Sequence, residues 1–221
     1  MKIYIGYDSR ESIAYEVCRY SILKHNPSHE VIPLDKKLLD RPNDGSTEFT
    51  YTRFLVPYLN NYKGQALFCD CDFLWLSDPA EMLKEFDVRV NAVALVKHAE
   101  YQPHSATKMD GMPQSSYPRK NWSSLVWWNC AHPSHKALTP HTVNTAEASY
   151  LHQFQWLIDA EMAALPIEYN WLSGYYTHGY PKGVHFTDGG PWFDEYKNCD
   201  YSTVWQEYLE EYRLGLLSQD K

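Results

Sequence analysis

From Lys2 to Asp35 the chain alternates strand, helix and strand, and this opening restricts the fold more than any later feature. Lys2-Ile3-Tyr4-Ile5-Gly6 is short, apolar and β-branched enough to read as a strand. Ile13, Ala14, Val17, Cys18, Ser21 and Ile22 then recur at helical spacing, and the pattern stops near Asn26-Pro27, where proline disfavours helical backbone before it. His29-Glu30-Val31-Ile32-Pro33-Leu34-Asp35 reads as a second strand. Such alternation predicts a Rossmann-like α/β sheet flanked by helices. At 221 residues the chain is long enough for one sizeable core and short for two, so a single domain over 1–221 is expected.

Residues 39–47 read as a loop broken by Pro42, Asn43 and Gly45. A helix is expected over about Phe49–Asn61, interrupted at Pro57. Gly64 precedes the strand QALFCD, and Ser77-Asp78-Pro79 looks like a helix start with proline in the first turn. NAVALV reads as a buried strand and SSLVWWN as another. Between them, residues 98–120 are polar and aperiodic, as a lid or substrate loop would be, with His98 and His104 as solvated loop residues. Residues 147–164 read as one or two helices, GVHFT as a late strand, and about Ser202–Leu217 as a terminal helix.

The strand QALFCD runs straight into Asp70-Cys71-Asp72. In an extended chain residues two apart share a face, so Asp70 and Asp72 would lie on one side and Cys69 and Cys71 on the other. Two carboxylates held that close repel unless a cation or donors sit between them. Hard oxygen ligands suit Mg²⁺ or Mn²⁺, above all where a diphosphate adds oxygens. The alternative is a capped strand end or exposed acidic turn.

Composition removes several classes. With 28 acidic and 20 basic residues and no basic run, a grip on nucleic-acid backbone is not expected. Five scattered cysteines make neither a disulfide framework nor, at Cys69 and Cys71, a zinc site. The chain begins on a strand without a hydrophobic leader, and no apolar run reaches spanning length, so a cytoplasmic protein with reduced thiols is expected. Tyr, Trp and Phe total 18, 8 and 8; aromatic faces stack on sugars but also fill cores, and the core is the simpler account. Trp127 and Trp128 alternate on one strand, so one is expected in the core while the other could face an acceptor sugar.

Four further blocks surround the acidic pair: Tyr7-Asp8 after the first strand, where α/β sheets bind ligands; Thr52-Arg53-Phe54-Leu55, one helix before the acidic strand; Leu151-His152-Gln153 with LPIEYNWL downstream; and His185-Phe186-Thr187-Asp188-Gly189-Gly190-Pro191-Trp192. The last combines an imidazole with a double glycine that would let backbone approach a phosphate. Taken together, the order D-x-D then H-F-x-x-G…P-W resembles the family-8 glycosyltransferases of the glycogenin and lipopolysaccharide-galactosyltransferase type. YTRF resembles that family's Y-A-R-L block and LFCDCDFLWLSD its L-Y-L-D-x-D-x-L-V-x-x-D. The set with LVWWN and HFTDGGPWF is similar still more to bacterial and phage proteins known only as glycosyltransferases.

The resemblance implies a GT-A fold with a mixed, mostly parallel sheet, and transfer from a nucleotide diphosphate-sugar, usually UDP-linked, to an acceptor hydroxyl with retention. The acceptor could be a glycan, a lipid-linked saccharide or a protein. It implies Mn²⁺, or Mg²⁺, on Asp70, Asp72 and His185. Asp8 beside Tyr7 would contact the base, Arg53 would order the donor end, and Cys71, Gly189, Gly190 and Trp192 would line the nucleotide site. Gln153 would lie near the anomeric carbon, with Asp72 as the other residue at the reaction. Each has a plainer alternative: Asp8 a helix cap, Arg53 an ion-pair partner of an aspartate, Gln153 a satisfied buried amide, His185 a core histidine beside Trp192. The chain departs from the family in three places, one being that family's N-x-G stretch, only loosely echoed by Asn121-Trp122-Ser123-Ser124. Gly190 stands where the family has a lysine before Pro-Trp, which leaves the diphosphate to the metal, the Gly189-Gly190 amides or Lys182; and His152 stands where an aspartate precedes the glutamine. Outside this class, the same acidic pair would serve a nucleotidyltransferase or phosphohydrolase, and a decayed late motif would suit a silent binding module.

Overall fold

The computed structural model describes residues 1–42, 45–98, 102–109, 111–113 and 116–215. In chain order the strands are β1 (Lys2–Gly6), β2 (Glu30–Leu34), β3 (Gln65–Cys69), β4 (Phe73–Trp75), β5 (Val93–Leu95), β6 (Thr107–Lys108), β7 (Met112–Pro113), β8 (Leu125–Asn129), β9 (Met162–Ala164), β10 (Trp171–Leu172) and β11 (Gly183–His185). The α-helices are α1 (Ser12–His25), α2 (Val56–Leu59), α3 (Pro140–Thr145), α4 (Ala148–His152) and α5 (Ser202–Arg213).

The opening strands pair in parallel through α1, as expected, and begin a six-stranded sheet in the order β2-β1-β3-β8-β5-β9. β8 runs antiparallel to both neighbours while the other pairs are parallel, which makes the sheet mixed and mostly parallel. A second sheet, β10-β11-β4, grows out of the turn after β3, and β6 and β7 form a small hairpin within the 98–120 stretch. α1 is buried on two sides. Tyr15, Cys18 and Ile22 face the main sheet, while Val17 and Tyr20 join Leu74, Val184 and the α5 residues Trp205, Tyr208 and Leu209 in a second cluster. A helix between two layers needs apolar residues beyond one stripe.

Trp127 and Trp128 do alternate across β8, but neither faces solvent; both are 0% exposed. Helical and turn layers cover both faces of a central strand, so alternation here separates two halves of the core. Trp127 meets Phe86 edge-on at 4.5 Å, and Trp128 packs against His135 at 5.2 Å and stacks on Trp156 at 6.4 Å. The register places Ala94 opposite Trp127 and Ala66 opposite Trp128, which leaves room for each indole.

Three expected helices are shorter than the sequence pattern suggests. The stretch from Phe49 becomes a 3₁₀ turn, Thr52–Leu55, and the four-residue α2 with Pro57 in its first turn. The chain leaves it through Asn61 and Tyr62, both with positive φ, and the Tyr62 N–H closes on the Pro57 carbonyl at 2.8 Å. Within 147–164, α4 ends at His152, Phe154 takes φ of 55°, and Met162–Ala164 is a strand. Strand pairing with β5 outweighs the weak local helical pattern there. The terminal helix ends at Arg213; residues 216 and 217 of that expectation, like Asn43 and residues 99–101, 110, 114 and 115, lie outside the described residues. No helix among the described residues is long and apolar enough to cross a membrane.

Candidate active site

Asp70-Cys71-Asp72 does not continue β3 as an extended face. It forms the turn between β3 and β4, with the Asp70 N–H bonded to the Ser124 carbonyl at 2.9 Å. The turn still brings both carboxylates to one place, because β11 returns antiparallel to β4 with His185 opposite Phe73. That register sets the imidazole beside Asp72, and the Phe186 N–H to Asp72 carbonyl bond at 2.9 Å extends the ladder past it. His185 stacks on Phe73 at 4.6 Å and 17°. One ligand atom from each of Asp70, Asp72 and His185 falls within 4.8 Å of the others.

The tautomer of His185 follows from its neighbours. The Ser124 hydroxyl donates to the Asn121 carbonyl at 2.7 Å and therefore accepts from Asn170 Nδ2 at 2.9 Å. Asn170 Oδ1 then faces His185 Nδ1 at 2.9 Å, which makes Nδ1 the protonated nitrogen. Nε2 then faces Asp72 Oδ2, 3.4 Å away. A proton or a metal cation between the two groups satisfies that contact. Asp72 Oδ1 is buried with no hydrogen-bond partner. These carboxylate and imidazole donors suit a hard divalent cation, and an outer amide orienting the histidine is the usual support for one. Asn170→Ala is therefore expected to weaken Mn²⁺ binding about 10–100-fold by electron paramagnetic resonance titration; unchanged affinity would count against Asn170 as the group that orients His185.

Arg53 is 5% exposed and reaches the same turn from the 3₁₀ segment before α2. Its Nη1 lies 2.8 Å from Asp70 Oδ1 and 2.9 Å from the Ser123 carbonyl, and Nε donates to Thr50 O at 3.1 Å. Its ion-pair role is thus seen directly. Burial, opposed by Arg53 and reinforced by Asp72, pushes Asp70 up to about 6. A carboxylate so unwilling to ionise next to another is a place where a cation gains most.

Arg53, Asp70, Asp72, Gln153 and His185 line one cavity of about 440 Å³. The Gln153 backbone is held by Arg119, whose Nη1 donates to its carbonyl at 2.7 Å. His152 also lines the cavity, with Nδ1 2.9 Å from Ser123 Oγ, and burial beside Arg53 and Arg41 lowers it to about 3.

The other sequence candidates are elsewhere. Asp8 caps the 3₁₀ turn before α1; its oxygens accept from the Arg10 amide and guanidinium and from the Glu48 N–H, which fills the carboxylate with internal donors. Tyr7 packs edge-on to Tyr15 at 5.4 Å, and Cys71 is buried in the core. The Gly189 N–H is spent on the Phe186 carbonyl at 2.9 Å, so it closes a turn and is not turned to a phosphate. A Cβ on Gly190 would sit 2.1 Å from the Trp192 ring, which explains the glycine by packing. Trp192 itself donates to Glu11 at 3.1 Å and packs on Trp205. Lys182 bonds Tyr169 Oη at 2.9 Å and Glu81 at 3.1 Å, away from the cavity. His98 is buried, stacked on Tyr176, and pushed down to about 3 by burial; it is no solvated loop residue. His104 is exposed and stacks on Tyr175 at 4.1 Å.

Sequence reasoning gave no role to Lys108, Lys120, Asn121 or Thr187, all in the cavity wall, or to Asn170 behind it. Asn170 belongs to LPIEYNWL, a segment singled out without a role for that residue. The stretch containing Lys108 and Lys120 reads as a lid or substrate loop from its polarity and length, but nothing in its aperiodic sequence singles out these two lysines.

An acidic turn after a parallel strand, a late histidine brought beside it by a second small sheet, and a cavity over both define the fold of GT-A-type glycosyltransferases. Solved structures agree. The chain matches glycosyltransferase GlyE of Streptococcus pneumoniae (15% identity, TM-score 0.63, 94% of this chain and 59% of that one) and the bifunctional glycosyltransferase WbbM (17%, 0.60, 95% and 49%). It also matches galactosyltransferase LgtC, solved with donor and acceptor sugar analogues (12%, 0.60, 96% of both chains). The chain thus spans 49% of WbbM and 59% of GlyE. No family model matches the sequence. By sequence it is 45% identical over 226 residues to Protein CDI of Arabidopsis thaliana, covering 96% of this chain and 86% of that protein, and it belongs to the Protein CDI family.

Proposed function

We propose that this protein is a metal-dependent glycosyltransferase that moves a sugar from a nucleotide diphosphate-sugar, UDP-linked, to an acceptor hydroxyl with retention, and that residues 1–221 act as one catalytic unit in the cytoplasm. The observation that carries this is the Asp70, Asp72 and His185 cluster, with His185 Nε2 3.4 Å from Asp72 Oδ2, opening into a cavity of about 440 Å³. Asp70, Asp72 and His185 would hold a divalent cation, Mn²⁺ or Mg²⁺, which would supply positive charge for the negative charge that grows on the leaving group.

The protein's own residues account for the rest. Arg53 holds Asp70 in place and adds positive charge at the donor end. Asn170 accepts from His185 Nδ1, which leaves Nε2 as the ring nitrogen facing the two carboxylates. Gln153, its backbone carbonyl held by Arg119 and its Oε1 accepting from Gln155 Nε2 at 3.3 Å, lines the cavity and would lie near the sugar. Among the described residues lining the cavity, Asp70 and Asp72 are the carboxylates, and both belong to the metal cluster. His152, lowered to about 3, is a weak base. That favours proton transfer from the acceptor hydroxyl to the departing phosphate, with attack from the leaving-group face, as retention by front-side attack requires.

A thermal-shift screen of UDP-, GDP-, CMP- and dTDP-sugars, each with and without Mn²⁺, tests the proposal. A UDP-sugar is expected to raise Tm only with the metal present. Stabilisation by nucleotide sugars that ignores Mn²⁺ would point to a silent binding module, and turnover of NTPs or phosphoesters in place of sugar nucleotides would point to phosphoryl chemistry.

A further inference from the structure

A phosphoanhydride needs more positive charge than one metal supplies, and the candidates near the late glycine motif are occupied. Gly190 replaces a lysine with no side chain, the Gly189 N–H is bonded within its turn, and Lys182 is held by Tyr169 and Glu81 outside the cavity. The positive groups that do line the cavity come from a different part of the chain. Lys108 lies in the β6–β7 hairpin, which is fastened across the site by the Met109 N–H to Asp188 carbonyl bond at 2.7 Å. Its Nζ lies 3.4 Å from the Thr187 carbonyl, two residues beyond His185. Lys120 is 7% exposed and leads into the turn whose Ser123 carbonyl receives Arg53. The two lysines therefore reach the cavity from the His185 side and the Arg53 side.

We propose that Lys108 and Lys120 are the diphosphate-binding cations of this site, supplied by the segment that crosses the cavity in place of a lysine in the late glycine motif; the inference rests on the nucleotide-sugar function proposed above. Burying a lysine costs free energy that an anion offsets, and two lysines in one cavity add mutual repulsion. Burial first, and the Lys108 charge second, push Lys120 down to about 8 against the opposing pull of Asp188. With a divalent cation on the two carboxylates, Arg53, Lys108 and Lys120 leave the cavity with an excess of positive charge, which a diphosphate matches and a neutral sugar does not.

Inorganic pyrophosphate with Mn²⁺ is the probe, because it carries the phosphoanhydride without a base or sugar. In calorimetric titrations, Lys108→Met and Lys120→Met are each expected to bind it at least about tenfold more weakly than wild type, and the double variant about 100-fold. Mn²⁺ alone is expected to bind these variants as tightly as wild type or more so, since like charge has been removed. Lys108→Arg and Lys120→Arg are expected to stay within about threefold of wild type, which separates charge from packing. Wild-type affinity in both methionine variants overturns this assignment and leaves the glycosyltransferase proposal standing. Failure of wild type itself to bind pyrophosphate or UDP with Mn²⁺ overturns both.

Discussion

Asp72→Asn is expected to weaken Mn²⁺-dependent UDP binding by at least about 100-fold, roughly 2.7 kcal/mol, while leaving the protein as stable as before or more so. The two halves of this result come from one cause. Asparagine keeps the shape of the aspartate and removes its charge, so the metal loses a ligand while Asp70 loses a repulsive neighbour. Asp72 Oδ1 has no hydrogen-bond partner to lose. Sites that hold charges in conflict commonly give up stability for function, and relieving the conflict reverses the exchange. Calorimetry and thermal unfolding on the same preparation read both effects. A variant that binds UDP as wild type does, or that unfolds well below it, would show that Asp72 is a structural residue.

Trp128→Ala is expected to cost about 3–5 kcal/mol in urea unfolding, a large share of the roughly 5–15 kcal/mol that holds a domain together. The indole is fully buried on a central strand, and Ala66 and Val93 flank it in register. His135, Phe154 and Trp156 form the layer above, and none of them has an obvious way to fill the space left behind. The midpoint should fall by about 6–20 °C for a chain of this size. A cost below about 1 kcal/mol, with loss of ligand binding, would instead place this side chain at an acceptor surface.

Where local chemistry decides structure, the sequence was enough. The first strand, α1 and the second strand are legible because their periodicities change at Gly6 and Asn26-Pro27, and the structure keeps those boundaries closely. Asp70, Asp72, His185 and Arg53 were likewise found from residue type and order, and the structure brings them to one cavity. What failed depends on contacts distant in sequence. Met162–Ala164 is a strand because β5 is beside it, and a helix-like pattern cannot reveal that neighbour. Trp128 is hidden by Trp156 and Phe154, residues whose layer forms only once the chain returns over the sheet. Gly189 and Gly190 looked like a phosphate cradle, but the double glycine makes room for Tyr196 and Trp192. Asp8 carries the right charge at the right strand end and is consumed by Arg10 and the Glu48 amide. Residue type was informative there; availability was not, because it depends on where every nearby donor points.

The central claim is that Asp70, Asp72 and His185 hold a metal that activates a nucleotide diphosphate-sugar. It is tested most directly by following release of nucleoside diphosphate from UDP-sugars over long incubation with purified protein, with Mn²⁺ or with chelator. Slow release in Mn²⁺, abolished by chelator and by Asp72→Asn, is the predicted result. Release that proceeds equally in chelator, or that Asp72→Asn leaves untouched, would contradict it.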